Sequence, residues 1–564
     1  MDELARLFAA LDATTSTHAK VAAIRAYIVA CGGDEQHEAR PHDLAWALFF
    51  LSGRRFKRLV GVRELMVWLE HACGFPSWLI EDSLAVVGDF AETAALLLDA
   101  REHERDASEA AAARALSQVS LADWVETHIE GLRTLDEAAR RSAVVRWWQL
   151  LPREQVFLLG KLLTGELRVG VSTTLVVRAI AEHAQLSSAT VTARLMGEWR
   201  PSTAFVADLL APEGEAGSRD DEARPYPFFL ASPLEGDPSE QLGELDVWQA
   251  EWKWDGIRGQ LIKRGDTLAL WSRGEERIEQ RFPELVEAAA ALPDRVVLDG
   301  EVLAWDVEAA RPLPFAALQR RLNRKQVGKQ LLAAVPVAFV VFDVIEHAGD
   351  DLRERPLAER RVVLEQLCAA LPESSARIQP SPRIDVGSWA ELATLRAGSR
   401  ERHVEGMMLK RLDSSYGHGR RKGPWWKWKI DPLTIDAVLV YAQAGSGRRA
   451  NLFTDYSFAL WHEGELVTIA KAYSGLTDDE LRELDKWIRS HTLERFGPVR
   501  QVEPVHVFEL AFEGIARSTR HKSGVAVRFP RIARWRRDKT VEQADQLASL
   551  IALADPAGEP DDAG

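Results

Sequence analysis

Cysteine is scarce in this sequence: Cys31, Cys73 and Cys368 are the only three among 564 residues, and they lie far apart. Neither a disulfide framework nor a four-ligand zinc site can be drawn from them, and each is expected as a buried thiol. Long apolar runs are missing too. No stretch approaches the roughly 18 residues that a membrane span needs. The opening residues, Met1-Asp-Glu-Leu-Ala-Arg-Leu-Phe8, lack a basic region followed by an apolar one. A cytoplasmic protein with no membrane partner is the expectation. An excess of positive charge is absent as well: the formal balance is −14, which argues against a chain that coats nucleic acid indiscriminately.

With 46% hydrophobic and 28% charged residues, the chain has ample material for buried cores, and its length suggests three or four domains. One local basic run stands against the acidic whole. Arg517, Arg520, Lys522, Arg528, Arg531, Arg534, Arg536, Arg537 and Lys539 lie close together, opposed only by Asp538. By itself such a run reads equally well as a solvated surface.

Apolar residues at three- and four-residue spacing run to about residue 205 and predict helices over Asp43–Leu51, Leu84–Leu98, Leu135–Leu151, Arg153–Leu163 and Ser172–Leu195. Arg101–Arg114 reads as an exposed helix extension or a loop. Gly165 is placed to end one helix and Ser172 to cap the next. The turn between them, with Arg168, suits either a DNA phosphate or a purely structural role. Residues 211–227 are polar and rich in Pro and Gly, the composition of a linker.

Strand-like runs follow at Val247–Lys253, Thr267–Ser272, Arg295–Trp305, Val335–Ile345 and Gly406–Leu412. After Asp431-Pro432 come Ile435–Tyr441, Ser457–His462 and Leu466–Ala470, then a helix opening on the capping box Thr477-Asp-Asp-Glu480. Five or so strands with one helix suggest a small barrel. Gly445–Asn451, with Arg448 and Arg449, is a phosphate-contacting loop or a solvated hairpin. The residues from about Asp555 onward have a disordered composition.

The chemistry concentrates in Glu251-Trp-Lys253-Trp-Asp255-Gly-Ile-Arg258. In an extended segment alternate residues share a face, so Glu251, Lys253 and Asp255 point one way while Trp252 and Trp254 pack the other. Asp299-Gly-Glu301 and Trp425-Trp-Lys427-Trp-Lys429 repeat that arithmetic with two acids and two lysines, and Glu405 adds a carboxylate. Such a set suits nucleotidyl transfer: a lysine attacks an α-phosphate only when deprotonated, cations nearby favour that form, and carboxylates hold Mg²⁺. Taken singly, Lys-x-Asp-Gly is a common surface turn and Asp-Gly-Glu a plain one. The ordered combination carries the signal.

In that order the segments resemble the nucleotidyltransferase motifs of ATP-dependent DNA ligases, from Glu251–Arg258 through Ser272-Arg273-Gly274, Leu298–Glu301, Ala338–Asp343, Val404-Glu405-Gly406 and Trp425–Lys429 to Arg528–Lys539. Leu162–Val171 resembles part of the ligase helical DNA-binding domain, so the likeness covers most of the chain. It implies a multidomain α+β fold: an all-α N-terminal domain over 1–205, a linker over 206–226, an α+β nucleotidyltransferase core over 227–431, a C-terminal OB-fold β-barrel over 432–550 and a tail over 551–564.

The resemblance also implies function: nicks in double-stranded DNA sealed through a lysyl-AMP and a DNA-adenylate, in replication, repair or recombination, by a monomer encircling the duplex. Lys253 is the implied nucleophile. Glu251 would read the adenine edge, Phe342 stack on the ring, and Arg258 and Arg273 contact ribose or phosphate. Glu301 would act at ribose and metal, Glu405 at the metal, and Lys427 and Lys429 at the α-phosphate, with Arg421 a further nucleotide contact. Arg531 and Lys539 would close over ATP in the first step and then withdraw. ATP and Mg²⁺ are the implied cofactors. A nicotinamide-dependent ligase would add a four-cysteine zinc site, which this chain lacks. An RNA ligase or mRNA-capping guanylyltransferase would not be expected to carry the large helical domain, and a non-catalytic DNA clamp would not need the full set of lysines and carboxylates.

Overall fold

The computed structural model describes residues 1–33, 39–55, 59–100, 107–167, 170–213, 222–322, 324, 327–445 and 452–554. Two compact bodies are present. One comprises Met1–His183, Pro201–Val206 and Pro432–Gly564, the other Ala184–Arg200 and Ala207–Asp431. No helix among the described residues is long and apolar enough to cross a membrane.

The N-terminal part of the chain is helical, as the periodicity predicts. Pro41–Leu51, Glu137–Leu150 and Arg153–Thr164 match expected helices, and Gly165, at φ 71°, ends the last of them. Two expected helices are each broken in two. Leu84–Leu98 is interrupted by left-handed Gly88, after which Asp89 caps Phe90–Asp99 by accepting from the Glu92 amide at 2.9 Å. Ser172–Leu195 is interrupted at Gln185, at φ 56°, and Ser187 caps Ser188–Leu195. Both halves bury an apolar face, so the three- and four-residue spacing runs across each break and hides it. Cys31 and Cys73 are buried, but Cys368 is only half-buried, near the end of its helix. Arg168 and residues 101–106 lie outside the described residues.

The second body is built on two sheets. Its principal strands are β1 (Trp248–Trp254), β2 (Ile257–Arg264), β3 (Thr267–Ser272), β4 (Val296–Asp306), β5 (Val337–His347), β6 (Ile378–Pro380), β7 (Val404–Arg411) and β8 (Trp425–Lys429). The larger sheet runs β6-β5-β4-β2-β3; the smaller runs β8-β7-β1, with Ser232–Pro233 beside β8. On β4 alternate residues divide cleanly. Leu298, Val302 and Ala304 pack with Leu261, Phe339 and Leu364, while Val297 joins Ile262, Trp271, Phe342, Tyr416 and Trp425 on the opposite face. Each such large side chain, fully buried, contributes roughly 1.5–3 kcal/mol. The second face carries the candidate site.

The segment expected as a linker is partly structured. Thr203–Leu210 is helical, and the residues just before the core are bonded into it. Arg264 donates to the carbonyls of Glu222 and Arg224 at 3.0 and 2.9 Å, and the Trp271 indole donates to the Ala223 carbonyl at 2.6 Å. Its composition reads as linker because these backbone groups are satisfied by side chains far along the chain. Residues 214–221 lie outside the described residues.

The C-terminal part of the first body contains β9 (Leu433–Ala444), β10 (Phe453–His462), β11 (Glu465–Ala472), β12 (Thr492–Phe496), β13 (Val499–Val502), β14 (Val507–Phe512) and β15 (Arg531–Trp535). One edge of β9 pairs with β10. The other pairs with β14 over Leu433–Val438 and with β13 over Tyr441–Gln443, so the sheet curls around Leu439, Phe458, Phe508 and Trp535 in the manner of an OB barrel. The helix Asp478–Ser490 opens on the capping box of Thr477 and Glu480. Residues 446–451, with Arg448 and Arg449, and residues 555–564 lie outside the described residues.

Candidate active site

On the smaller sheet, β7 and β1 run antiparallel with Met408 opposite Glu251 and Met407 opposite Trp252, yet Val404 faces Trp254. One residue is therefore extra on β7: Glu405 and Gly406 together oppose Lys253. A bulge of this kind re-aims a side chain. In an unbroken ladder Glu405 would face Trp254 and point into the core with it. Instead the Lys253 ammonium donates to Glu405 Oε2, and Lys429 Nζ lies 3.3 Å from the same oxygen. Gly406 makes the bulge possible: its φ is 127°, and a Cβ there would come within 2.3 Å of the Trp428 carbonyl oxygen.

Across the next ladder Gly406 opposes Lys429 and Met408 opposes Lys427, which brings both lysines to the Lys253 face. Trp426 and Trp428 pack behind with Trp252, as alternation requires. Trp425 is on the lysine face, 6.4 Å from the Phe342 ring, and forms part of the wall. Lys427 is lowered from its ordinary value by burial and by the charges of Lys253, Lys429 and Arg420. Burial would raise the Glu405 carboxyl, but Lys253 and Lys429 outweigh it and hold it below its ordinary value.

The larger sheet supplies the facing groups. Glu301 on β4 is paired with Arg258 on β2. Burial pushes the Glu301 carboxyl up to about 8, with Lys253 and Arg258 pulling the other way and Glu405 and Asp299 adding to the rise. These influences put Glu301, Glu405 and Lys253 within electrostatic reach of one another. Arg258 donates to both Asp299 oxygens, at 3.1 and 2.7 Å, and to the Phe229 carbonyl at 2.6 Å. Its guanidinium lies 5.3 Å from the Phe342 ring centre.

Three participants were not legible as site residues. Lys410 is fully buried, 4.3 Å from the Phe342 ring centre and 3.1 Å from Glu251 Oε1, which also accepts from Gln249. Tyr416 donates to Asp299 at 2.5 Å and so braces the acid that holds Arg258. A signal for Lys410 did exist: two residues beyond Met408 on an alternating strand, it falls on the inner face.

The remaining expected residues are placed differently. Arg273 is exposed just after β3, its amide bonded to the Arg258 carbonyl at 2.9 Å. Arg421 is exposed, with Nη2 3.3 Å from His418 Nδ1. Arg531 and Lys539 belong to the other body. Arg531 is 3.1 Å from Glu513 and Lys539 2.5 Å from Asp436.

A lysine amine on a carboxylate, flanked by two more lysines and faced by a second acid and an arginine across two sheets, is the equipment of a covalent nucleotidyltransferase. Comparison with known proteins narrows the class. Residues 228–429 match the family described as ATP dependent DNA ligase domain, 1–181 the DNA ligase N terminus and 449–539 the ATP dependent DNA ligase C terminal region. A probable DNA ligase of Koribacter versatilis is 38% identical over 414 residues, 69% of this chain and 70% of the relative. A DNA ligase of Thermococcus fumicolans is 29% identical over 88% of each chain. The solved structure described as Pmar-Lig_PreS3 shares the fold, with a TM-score of 0.57 at 16% identity over 94% of this chain and 99% of that one. The chain belongs to the ATP-dependent DNA ligases, enzymes that use ATP, with Mg²⁺ as the usual metal, to seal nicks in DNA.

Proposed function

We propose that Lys253 is the nucleophile that accepts AMP. The observation that carries this reading is the convergence of Lys253 and Lys429 on one Glu405 oxygen, with Lys427 alongside and Glu301 facing them. Lys427 is lowered first by burial and then by the charges of Lys253, Lys429 and Arg420, and a triphosphate would offset that repulsion. Lys427 and Lys429 meet the α-phosphate. Arg258, fixed by Asp299, contacts ribose or phosphate together with Arg273, and Arg421 is a further contact. Phe342 stacks on adenine. Glu251, already accepting from Lys410 and Gln249, reads the base edge by sharing an oxygen.

Glu301 and Glu405 fit a Mg²⁺ ion. No group of three or more potential protein ligands occurs among the described residues, and Mg²⁺ bridging phosphates needs only one or two carboxylates because it keeps several waters. Bound there, the ion would neutralise phosphate charge during transfer. The chain's own residues hold the amine, phosphate and leaving group in line through three transfers: AMP to Lys253, AMP to the 5′-phosphate at the nick, and attack by the 3′-hydroxyl. Arg531 and Lys539 serve the first of these. We further assign the organisation as a helical domain over 1–205, a core over 227–431 and a barrel over 432–550, acting as a cytoplasmic monomer around nicked duplex.

Intact-mass measurement with ATP and Mg²⁺ tests the reading. The protein should gain one AMP, mapped to Lys253. Lys253→Ala should abolish the gain and the sealing while DNA binding persists. Sealing by that variant, or labelling by GTP alone, would overturn the assignment.

A further inference from the structure

The basic segment after β15 is held by an acid that the motifs do not include. Asp436, on β9 and only 6% exposed, accepts from Arg536 Nη1 at 2.7 Å and from Lys539 Nζ at 2.5 Å, both on the same oxygen, Oδ2. The backbone of Asp436 is itself fixed: its amide donates to Asp545 Oδ2 at 2.8 Å, and its carbonyl accepts from the Asp545 amide at 2.9 Å. The carboxylate is therefore a rigid post to which two cations three residues apart are tied.

The two cations are tied unequally. Arg536 also contacts Asp538 at 2.7 Å and Glu509 at 3.9 Å, and its amide donates to the Val507 carbonyl at 2.9 Å. Surrounded by three carboxylates, it works as a structural link. Among the described residues Lys539 pairs with Asp436 alone, while an ammonium carries three donors. Asp436 Oδ1 is buried with no hydrogen-bond partner among the described residues. A buried, half-satisfied carboxylate is a costly way merely to pack a barrel, and its charge on Oδ2 is what both cations use.

We propose that Asp436 is a positioning residue for enzyme adenylation: through Oδ2 it ties Arg536 and Lys539 into one unit that presents the Lys539 ammonium to the leaving pyrophosphate. This rests on the reading that the segment serves the first step. Asp436 touches neither nucleotide nor DNA and acts through Lys539.

The test compares two reactions of the full-length enzyme: adenylation by ATP, and sealing of a nick that already carries AMP. Asp436→Asn keeps the shape and removes the charge. It should lower kcat for adenylation by about 10–100-fold, the effect of a misplaced orienting group, with KM for ATP changed less than about threefold because the base and α-phosphate sites lie in the core. Release of AMP from the adenylated enzyme by inorganic pyrophosphate should slow by the same factor, and sealing of the adenylated nick should not slow. Asp436→Glu, which restores the charge, should recover part of the rate. Equal slowing of both reactions, or unchanged adenylation, overturns the proposal. If Asp436→Asn does not fold, Asp436→Glu carries the test on the same criterion, since a carboxylate displaced by one methylene should slow adenylation alone. Lys539→Ala separates the two readings. If it slows adenylation selectively and Asp436→Asn does not, the role of Asp436 falls alone; if it spares adenylation, the segment's role falls and the proposal with it.

Discussion

The core and the C-terminal basic segment use the same residue types to opposite ends. In the core, three lysines crowd one carboxylate cleft, and register alone brings them there: Lys253 on β1, Lys427 and Lys429 on β8, and Glu405 on the bulge of β7 between them. In the C-terminal segment each arginine from Arg531 to Arg537 has an acid partner. Arg531 has Glu513, Arg534 has Glu509, Arg536 has Asp436 and Asp538, and Arg537 has Glu483. The core thus gathers three lysines around one carboxylate, whereas the segment's arginines are each matched by an acid. A net charge of −14 is compatible with polyanion chemistry because the lysines of the core are concentrated in one cleft rather than spread over the surface.

The largest effect should come from breaking the convergence in the core without touching a charged residue. Gly406→Ala forces a side chain into a left-handed backbone and against the Trp428 carbonyl, 2.3 Å away. Strain of this kind costs about 1–3 kcal/mol, and relief requires β7 to slide back toward a regular ladder, carrying Glu405 away from Lys253. Adenylation should fall by at least about 100-fold, with stability lower by about 2 kcal/mol in urea unfolding. Adenylation at the wild-type rate would show that the bulge does not assemble the site.

That bulge also marks the limit of what the sequence disclosed. Alternation placed Glu251 with Lys253, and Lys427 with Lys429, because those strands are regular. It could not place Glu405, for a one-residue insertion inverts every face beyond it. The motif resemblance supplied Glu405 where periodicity would have buried it. The breaks at Gly88 and Gln185 were missed for the same kind of reason: a continuous apolar stripe outweighed a local stop signal. Lys410, Tyr416 and Asp436 went unseen as site residues because their meaning lies in long-range partners, Glu251, Asp299 and Arg536, which no local pattern specifies.

A smaller effect should separate the segment from the core. Arg531, 38% exposed in its pair with Glu513, contributes little to the fold, since exposed ion pairs are worth about 0–1 kcal/mol. Arg531→Ala should therefore leave the melting temperature within about 2 °C while slowing adenylation about 10-fold and sealing of a ready-made DNA-adenylate less than about twofold. Equal slowing of the two steps would erase the division of labour between the regions.

The sharpest test of the core's electrostatics concerns Glu301. Its carboxyl is raised from 4.5 to about 8, chiefly by burial. Between those values the unfolded chain releases a proton that the folded protein keeps, so folding stability falls as pH rises from about 4.5 to about 8 and is level beyond. Glutamine does not titrate. In the absence of metal and nucleotide, Glu301→Gln should match wild type near pH 4 and melt higher at pH 8.5, by roughly 2–4 °C for each 1 kcal/mol recovered. The same substitution should cripple adenylation, because the acid whose burial costs the folded core is the one that serves the nucleotide and its metal. If the melting difference is constant from pH 4 to 8.5, Glu301 ionises as an ordinary surface acid and the cleft does not impose that cost.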